Sequence, residues 1–225
     1  MINLLIVAHP DDEVLGFGGT GAARVKLGEI VQPVILCGEV NARSQRPTDQ
    51  DLLNDITNAN STLGFSQPIL GSFPNIGINT ISHLDIVKFI EKQILLFQPD
   101  RIFTHHPSDL NDDHQKISYA CMAAARIFQR RNNKAKIKGV YLMEVLSSTD
   151  WAFSSNTRLF EPNSFCDISH TIEKKIKALS CYRDVMRDPP HPRSEHIIRS
   201  HAAYRGGQCG CLSAEAFQQI YQYGL

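Results

Sequence analysis

The stretch "LLIVAHPDDEVLGFGGTGAA", residues 4–23, contains the strongest indication of the fold class. It opens with a short continuous apolar run, which is typical of a strand buried on both faces of a parallel sheet. One imidazole and three carboxylates, beginning at His9, interrupt this run, and a glycine-containing segment with helical spacing follows. Residues 3–8 therefore predict a strand, and residues 14–28 predict a helix that ends at Gly28.

The rest of the chain repeats this alternation of strand and helix. Further strands are predicted at 31–37, 68–70, 101–105 and 139–145, and further helices at 49–63, 82–97, 113–131 and roughly 171–187. Such an order indicates βαβ units and a mainly parallel sheet. We expect an α/β fold in which a single layered domain, residues 1–225, holds a mostly parallel, Rossmann-like sheet flanked by helices. The C-terminal third, which ends in two short helical segments, is expected to wrap the rim at the strand ends.

Composition excludes several classes of partner. The 225 residues include 23 basic and 23 acidic side chains. This balance does not suggest electrostatic binding to nucleic acid or to an anionic membrane. No apolar run approaches the roughly 20 residues that a membrane span needs, and the N-terminus lacks the marks of a signal peptide. The six cysteines have scattered spacings that favour reduced thiols. We expect a cytoplasmic protein without a nucleic-acid partner or a membrane span, and a homo-oligomer is compatible with the sequence.

Polar side chains follow two of the predicted strands. "HPDDE" (9–13) leaves the first strand, and "THHPSDLNDDHQ" (104–115) leaves the strand at 101–105. Because ligands of an open parallel sheet gather at the carboxyl ends of its strands, both loops should reach the same rim. Imidazole and carboxylate together suit zinc or another first-row divalent ion, and catalytic zinc usually has three protein ligands and one open position. One His and one Asp from the first loop and one His from the second would supply that number, which indicates a metal-dependent hydrolase.

The first loop admits other interpretations. The acidic residues 11–13 on their own are more typical of a helix start, where negative charge is favourable, than of a metal site. The glycines of the following helix invite a dinucleotide-binding interpretation, but their spacing does not fit G-x-G-x-x-G directly after the strand. A nucleophile-elbow hydrolase is excluded because the sequence contains no G-x-S-x-G.

"AHPDDEVLGFGGT" together with the later "THHPSDLNDDH" resembles the PIG-L-type, zinc-dependent de-N-acetylases. The signature AHPDDE is matched in full by residues 8–13. A weaker similarity extends through "CGEVNARS", "EVLSSTDW" and a C-terminal "HPRSE…RGG…AEAF" pattern. The resemblance implies a layered α/β fold with a mostly parallel sheet. It also implies removal of an acetyl group from an N-acetylated amino sugar.

The resemblance also assigns roles to individual residues. The zinc ligands of the family fall on His9, Asp12 and His114. Its general base falls on Asp11, which is adjacent to a ligand, so that the two carboxylates can diverge toward the metal and toward the attacking water. Asp113 matches a family acid that we expect to orient an imidazole from behind the metal ligands.

One position departs from the family. Many members carry a His three residues before the last zinc ligand, where it polarises the substrate carbonyl, and this chain has Asn111 there. An amide can donate a hydrogen bond but cannot supply a proton at neutral pH. We therefore expect His191, in "PPHPRSE", to be the missing catalytic acid or cation, with Arg193 close by. Arg43, Asn111, Trp151 and Arg193 are the candidate substrate contacts.

The function predicted from the sequence is metal-dependent hydrolysis of the acetamide of an N-acetylated amino sugar. The sugar could be free or part of a glycoconjugate, a nucleotide sugar or a small-molecule glycoside. A catalytically degenerate member that binds saccharide, and a deacylase of a non-sugar N-acyl metabolite, are the alternatives. Retention of Asp11 beside Asp12 favours an enzyme, because metal binding alone needs no base. The loop "SFPNIGIN" (72–79) departs from the more polar pattern of the family, which leaves the sugar and its attachment open.

Overall fold

The computed structural model describes residues 1–38, 47–131, 135–152 and 159–224. Its strands are β1 (Ile2–Val7), β2 (Ile30–Ile35), β3 (Ile69–Leu70), β4 (Arg101–His105), β5 (Gly139–Met143), β6 (Ser164–Asp167) and β7 (Ala214–Gln222). Its helices are α1 (Asp12–Lys26), α2 (Asp49–Leu63), α3 (His83–Phe97), α4 (Asp112–Ala124), α5 (Ile127–Arg130), α6 (Ile172–Leu179) and α7 (Glu195–Cys209), and a 3-10 turn lies at Ile78–Thr80.

All these strands join one sheet in the order β3-β2-β1-β4-β5-β7-β6. The five strands from β3 to β5 are parallel, whereas β7 runs antiparallel to both β5 and β6. The chain moves outward in one direction from β1 to β3 and in the other direction from β4 onward. The gap between β1 and β4 is therefore the topological switch point, where the loops at the carboxyl ends of the strands leave a crevice for ligands.

The sheet is buried on both faces. Along β1, Leu5 and Val7 belong to a core cluster that includes residues of α1, α2 and α6, whereas Leu4 and Ile6 belong to a second cluster with residues of α3 and α4. This alternation explains why the strand is a continuous apolar run and not an alternating one. The α/β class and the mostly parallel sheet predicted from the sequence are confirmed.

The C-terminal third departs from the prediction. Helix α6 ends at Leu179 instead of near 187, and the two short helical segments are one helix, α7, followed by strand β7. Strands β6 and β7 extend the sheet at its antiparallel edge. The described residues of this third that line the cavity at the strand ends are Trp151 and, in the loop between α6 and α7, Asp184, Arg187 and Arg193. The strands escaped prediction because β6 has four residues and β7 is buried only over its first half, so neither shows a clean period.

The long helix predicted at 113–131 is interrupted. Ala125 and Arg126 form a turn that separates α4 from α5. After the turn, Ile127 and Phe128 are both buried in the cluster on the α3–α4 side of the sheet. Because residues on both sides of the turn are buried in this cluster, the apolar pattern of the sequence runs through it without a break.

The glycines of α1 serve close packing. A Cβ atom at Gly19 would lie 2.8 Å from Cδ1 of Ile168, and one at Gly21 would lie 2.2 Å from Cζ of Phe65. Real side chains do not approach one another so closely, so these positions let neighbouring segments rest on the helix backbone. The glycine run is thereby explained by packing and not by phosphate binding.

This packing predicts opposite effects for the same substitution at two helical sites. Gly21→Ala should lower the free energy of unfolding by about 1–3 kcal/mol, because the added methyl displaces the Phe65 ring. Gly207→Ala in α7 should raise it by about 0.5–1 kcal/mol, because a Cβ there meets nothing within 4 Å and alanine favours the helix. Urea unfolding measures both changes. Equal stabilisation by the two variants would contradict the close packing of α1.

Candidate functional site

Three donor atoms converge at the switch point, between the loops that follow β1 and β4. Nδ1 of His9 lies 3.2 Å from Nε2 of His114, and Oδ2 of Asp12 lies 3.4 Å from the first nitrogen and 3.1 Å from the second. His9 and Asp12 come from the turn between β1 and α1, and His114 comes from the first turn of α4. All three residues are buried. The three ligands implied by the family resemblance therefore form one cluster.

The distances within this cluster fit a tetrahedral cation. Zinc bonds to nitrogen and oxygen donors are about 2.0–2.1 Å long, which places neighbouring donors of a tetrahedron about 3.3–3.4 Å apart. The observed edges of 3.1–3.4 Å match that spacing within a few tenths of an ångström. The donor set of two imidazoles and one carboxylate is also one that zinc and similar first-row ions accept.

Each histidine of the cluster is oriented by a carboxylate at its other ring nitrogen. Asp113 lies 3.0 Å from Nε2 of His9, and Asp109 lies 3.1 Å from Nδ1 of His114. When these outer nitrogens carry the protons, the lone pairs of the inner nitrogens face each other across 3.2 Å. Two facing lone pairs repel unless a proton or a cation lies between them, so the residues present fit a metal ion. Paired carboxylate–histidine contacts of this kind recur around zinc.

A cavity opens onto this cluster. Its volume is about 660 Å³, and His9, Asp12 and His114 line it. Two other donor groups share a histidine with the first, namely His9–Cys37–Asp113 and His105–Asp109–His114. The residues that these groups add are not among the described residues that line the cavity, and burial raises the pKa of the Cys37 thiol. Of the three groups, the first is therefore the one that leaves an ion with a face open to substrate.

Electrostatics within the cluster favour a bound cation. Burial alone would lower the pKa of His114, but the carboxylates of Asp12 and Asp109 outweigh it and raise this pKa to about 9. Burial likewise opposes charge on His9, and its hydrogen bonds to Asp113 and Asp12 raise its pKa well above the usual value. The two imidazoles in turn hold the pKa of Asp12 well below its usual value, against the effect of burial. The site thus carries enough negative charge to retain positive charge in a buried position.

Asp11 has an unusual backbone conformation that separates its side chain from that of Asp12. Its φ of 101° lies in the left-handed region, and its backbone N–H donates to Oε2 of Glu13 at 3.0 Å. Asp11 precedes α1, but its side chain makes no capping hydrogen bond to that helix. Its Oδ2 instead accepts from Nη1 of Arg193 at 3.2 Å. The helix-capping interpretation is therefore wrong for Asp11, whose side chain lines the cavity beside the donors.

Glu13 supports the Asp11 turn from the protein interior. It is fully buried, and Oε1 accepts hydrogen bonds from the hydroxyl of Tyr182 and from Nδ2 of Asn60. Burial raises the pKa of Glu13 to about 7. The last residue of the AHPDDE signature therefore holds the turn and does not enter the cavity.

The other predicted site residues divide into two groups. Asn111, Trp151 and Arg193 line the cavity together with the donors. Asn111 is also the N-cap of α4, because its Oδ1 accepts from the backbone N–H of Asp113 at 2.9 Å. Arg43 lies outside the described residues.

His191 does not reach the donors. It is not among the described residues that line the cavity, and its Nδ1 accepts from the backbone N–H of Arg193 at 3.0 Å. Its ring packs edge-on against Trp151, with centroids 5.5 Å apart. Partial burial and the nearby Arg193 and Arg187 lower the pKa of His191, so that it is neutral at pH 7. The catalytic role of His191 stays a prediction that no contact of its side chain with the cavity supports.

Sequence reasoning did not assign roles to several residues that form the site. Asp109, which orients His114, also accepts hydrogen bonds from the hydroxyls of Ser148 and Thr149. The sequence does place Asp109 in the same loop as His114, five residues earlier. A loop has no regular repeat, however, so this spacing does not predict that the two side chains are in contact. Further residues of the cavity wall are Asn75, Ile76, Leu110, Ser147, Asp184 and Arg187.

Comparison with known families now places the chain. The family model described as GlcNAc-PI de-N-acetylase, PIG-L, matches residues 4–125. The chain belongs to the PIG-L family. The matched region contains both loops that supply the donor cluster, and the match confirms the resemblance noted in the sequence.

Solved structures share the whole fold. A conserved protein of Thermus thermophilus is 23% identical, with a TM-score of 0.78 over 100% of this chain and 97% of that one. The N,N'-diacetylchitobiose deacetylase of Pyrococcus horikoshii is 20% identical, with a TM-score of 0.74 over 97% and 83% of the two chains. The 4-carboxy-2-hydroxymuconate hydratase of Pseudomonas putida is also 20% identical, with a TM-score of 0.74 over 100% and 98%. At such identities the similarity establishes the fold alone.

Across the described ranges, no helix combines the length and the apolar character needed to cross a membrane.

The carboxylates behind the histidines predict a change in metal affinity. Asp109→Asn should weaken zinc binding by about 10–100-fold, because an amide is a poorer partner for the outer nitrogen of His114. Asp112→Asn is the matched control, since Asp112 is exposed and pairs with Lys116. Competition with a chromophoric chelator measures both affinities. Equal affinities in the two variants would show that Asp109 does not support a metal ligand.

The raised pKa of His114 predicts a pH dependence of metal binding. Below about pH 9 the metal-free protein holds a proton on this imidazole, so zinc must displace it. The apparent zinc affinity should therefore rise between about pH 6.5 and pH 9, by up to about tenfold per pH unit for each proton released. Calorimetry in buffers of different ionisation enthalpy counts those protons. An affinity independent of pH over this range would contradict the assignment of His114 as a ligand.

Proposed function

We propose that the chain is a zinc-dependent N-deacetylase that hydrolyses the acetamide of an N-acetylated amino sugar and releases acetate and the free amine. The observation that carries the proposal is the position of Asp11. This carboxylate follows the left-handed turn beside the three donors, lines the same cavity, and is held by Arg193. Membership of a family described as GlcNAc-PI de-N-acetylases supports the reaction type.

His9, Asp12 and His114 would hold the ion, and other first-row divalent ions suit the same donors. A divalent ion in such a site polarises a carbonyl oxygen and lowers the pKa of water toward neutrality. Asp113 and Asp109 keep the imidazoles in the tautomers that present their lone pairs inward. The burial of all these groups strengthens each electrostatic contact between them.

Asp11 is the general base of the proposed reaction. Of the described residues that line the cavity, Asp11 and Asp184 carry the carboxylates that remain once Asp12 is assigned to the ion. Asp11 is next to that donor in sequence, so its carboxylate is placed to take a proton from the attacking water. The same carboxyl group then delivers the proton to the departing amine, as general acid–base catalysis by one group allows. With Asn111 unable to supply a proton and His191 away from the cavity wall, Asp11 takes both roles.

Arg193 provides the positive charge beside the reacting centre. Its Nε donates to Oγ of Ser147 at 2.7 Å and its Nη1 donates to Oδ2 of Asp11 at 3.2 Å, so two contacts fix the guanidinium. An arginine held in this way fixes the rotamer of the base and can stabilise negative charge that develops on the substrate. In this proposal Arg193 fills the place for which the sequence suggested His191.

The competing functions differ in what they require. A saccharide-binding protein without activity would not need Asp11, whose left-handed turn and arginine contact are both present in this chain. A hydratase has the same fold, and a fold does not determine a reaction. The sugar itself is proposed from the family description and from the wall of the cavity, in which Trp151 offers an indole face of the kind that stacks on sugar rings.

Substitution of the base tests the proposal. The zinc-loaded protein should release acetate from at least one member of a panel of N-acetylated amino sugars. Asp11→Asn should keep stoichiometric zinc and lower kcat by about 10²–10⁴-fold, because the amide cannot accept the proton. The control is Asp112→Asn, an exposed residue on the same rim that does not line the cavity. Absence of acetate release from the whole panel, or full activity of Asp11→Asn, would refute the proposed function.

A further inference from the structure

Two cysteine side chains meet at the C-terminal end of α7. Sγ of Cys209 lies 3.6 Å from Sγ of Cys211, which is within the range of a hydrogen bond between thiols. Cys209 is the last residue of α7 and is exposed, whereas Cys211 is partly buried. Neither cysteine is among the described residues that line the cavity at the donor cluster. The pair therefore has no part in the proposed hydrolysis.

The backbone between α7 and β7 holds the two sulfurs close together. Gly210, which separates the cysteines, has a φ of 84° in the left-handed region and ends the helix. The backbone N–H groups of Gly210 and Cys211 both donate to the carbonyl of Gly206, at 2.8 and 3.0 Å. A Cβ at Gly206 would lie 2.5 Å from the carbonyl oxygen of Cys211, so only glycine lets the chain fold back this closely. The two glycines thus fix a turn that keeps Cys209 and Cys211 side by side.

The surroundings of the pair suit a disulfide and not a metal ion. Structural zinc takes four ligands. Within the ranges that the structure describes, no third His, Cys, Asp or Glu donor lies within 4.8 Å of both sulfurs. A disulfide needs only the two thiols. Its formation shortens the distance between the sulfurs to about 2.05 Å, and the exposed side chain of Cys209 can rotate to supply this movement.

The two thiols differ in how they can react. Cys209 is the more exposed thiol, so a reagent in solution reaches it first. Sγ of Cys211 contacts the carbonyl oxygen of Ser213 at 3.3 Å, and partial burial together with the neighbouring Cys209 raises the pKa of the Cys211 thiol to about 11. The negative end of the α7 dipole also disfavours thiolates at this position. Because the reduced form gains no stability from its thiolates, the pair should attack slowly but keep a disulfide once it has formed.

We propose that Cys209 and Cys211 form a redox-active dithiol, a modification site that a low-molecular-weight disulfide, RSSR, converts to an intramolecular disulfide. The thiolate of Cys209 attacks one sulfur of RSSR, which gives a mixed disulfide and releases the first RSH. Cys211 then loses its proton and attacks Sγ of Cys209, which breaks the mixed disulfide bond and releases the second RSH. The two cysteines lose two electrons and two protons, and RSSR is reduced to two thiols.

Peptide mapping of the full, zinc-loaded protein tests the proposal. The protein is incubated with glutathione disulfide and glutathione at set ratios, alkylated and digested with trypsin. No Lys or Arg follows Arg205, so residues 206–225 form one peptide that contains both cysteines and no others. This peptide should lose two hydrogen atoms and escape alkylation, and excess reduced glutathione should restore both thiols. At about 1 mM glutathione the closed form should exceed the mixed disulfide by about tenfold or more, because the adjacent thiol acts at a high effective concentration.

Single substitutions separate the two steps. Cys211→Ser should stop the reaction at the mixed disulfide on Cys209, and Cys209→Ser should prevent closure. Cys181→Ser is the matched control, because Cys181 is also partly buried and follows another helix, α6. It should close as readily as the wild-type protein. Each variant keeps one or both members of the pair in an otherwise unchanged chain.

A wild-type peptide that keeps both thiols, or that accumulates the mixed disulfide without closing, would overturn the proposal. So would a second equivalent of bound zinc that Cys209→Ser removes, since the pair would then be a metal site. Acetate release is measured in parallel, and Cys209→Ser should leave it unchanged because this residue is not part of the cavity wall. The closure of the disulfide does not depend on that activity, so a failure of the proposed hydrolysis leaves this test intact.

Discussion

The structure depends on two imidazole nitrogens that face each other across 3.2 Å inside the protein. His9 and His114 each have a carboxylate at the outer nitrogen, so their lone pairs point at the same space, and Asp12 adds a third donor within 3.4 Å. Such an arrangement is unfavourable in a buried site unless positive charge occupies the space. In the metal-free protein a proton on His114 supplies such charge, and the carboxylates of Asp12 and Asp109, which outweigh burial, raise the pKa of this imidazole to about 9. A divalent ion satisfies all three donors at once.

The surrounding fold holds this arrangement in place at several levels. The parallel sheet brings the loops after β1 and β4 to one switch point. The left-handed turn at Asp11 then separates two adjacent carboxylates. Asp12 faces the two imidazoles, and Asp11 lines the cavity beside them. Glu13, Tyr182 and Asn60 support that turn from the interior, and Arg193 fixes the carboxylate from the other side. Hydrogen bonds thus offset the backbone strain at Asp11. One comes from Glu13 within the signature, and another from Arg193, which is distant in sequence.

Sequence reasoning anticipated the parts of this account that leave local signals. The apolar runs predicted β1 and β4, and the helical period with a following glycine placed α2 at Asp49–Leu63 as observed. The contacts between distant segments left no such signal. Asp109 and Arg193 act through partners 5 and 182 residues away, and β7 is a strand because an antiparallel edge of the sheet was available to it. The proline-rich loop shows the same limit, since it reaches the site with Arg193 and not with His191.

X-ray absorption at the zinc edge tests the central claim most directly, because it reports the ligands of the ion without reference to any substrate. Zinc-loaded protein should show a first shell of nitrogen and oxygen at about 2.0–2.1 Å, with two imidazoles and no sulfur. Loss of both ligand histidines, in His9→Gln combined with His114→Gln, should remove the imidazole scattering. A sulfur contribution at about 2.3 Å that disappears in Cys37→Ser would place the ion on Cys37 instead, and would contradict the site that the facing lone pairs define.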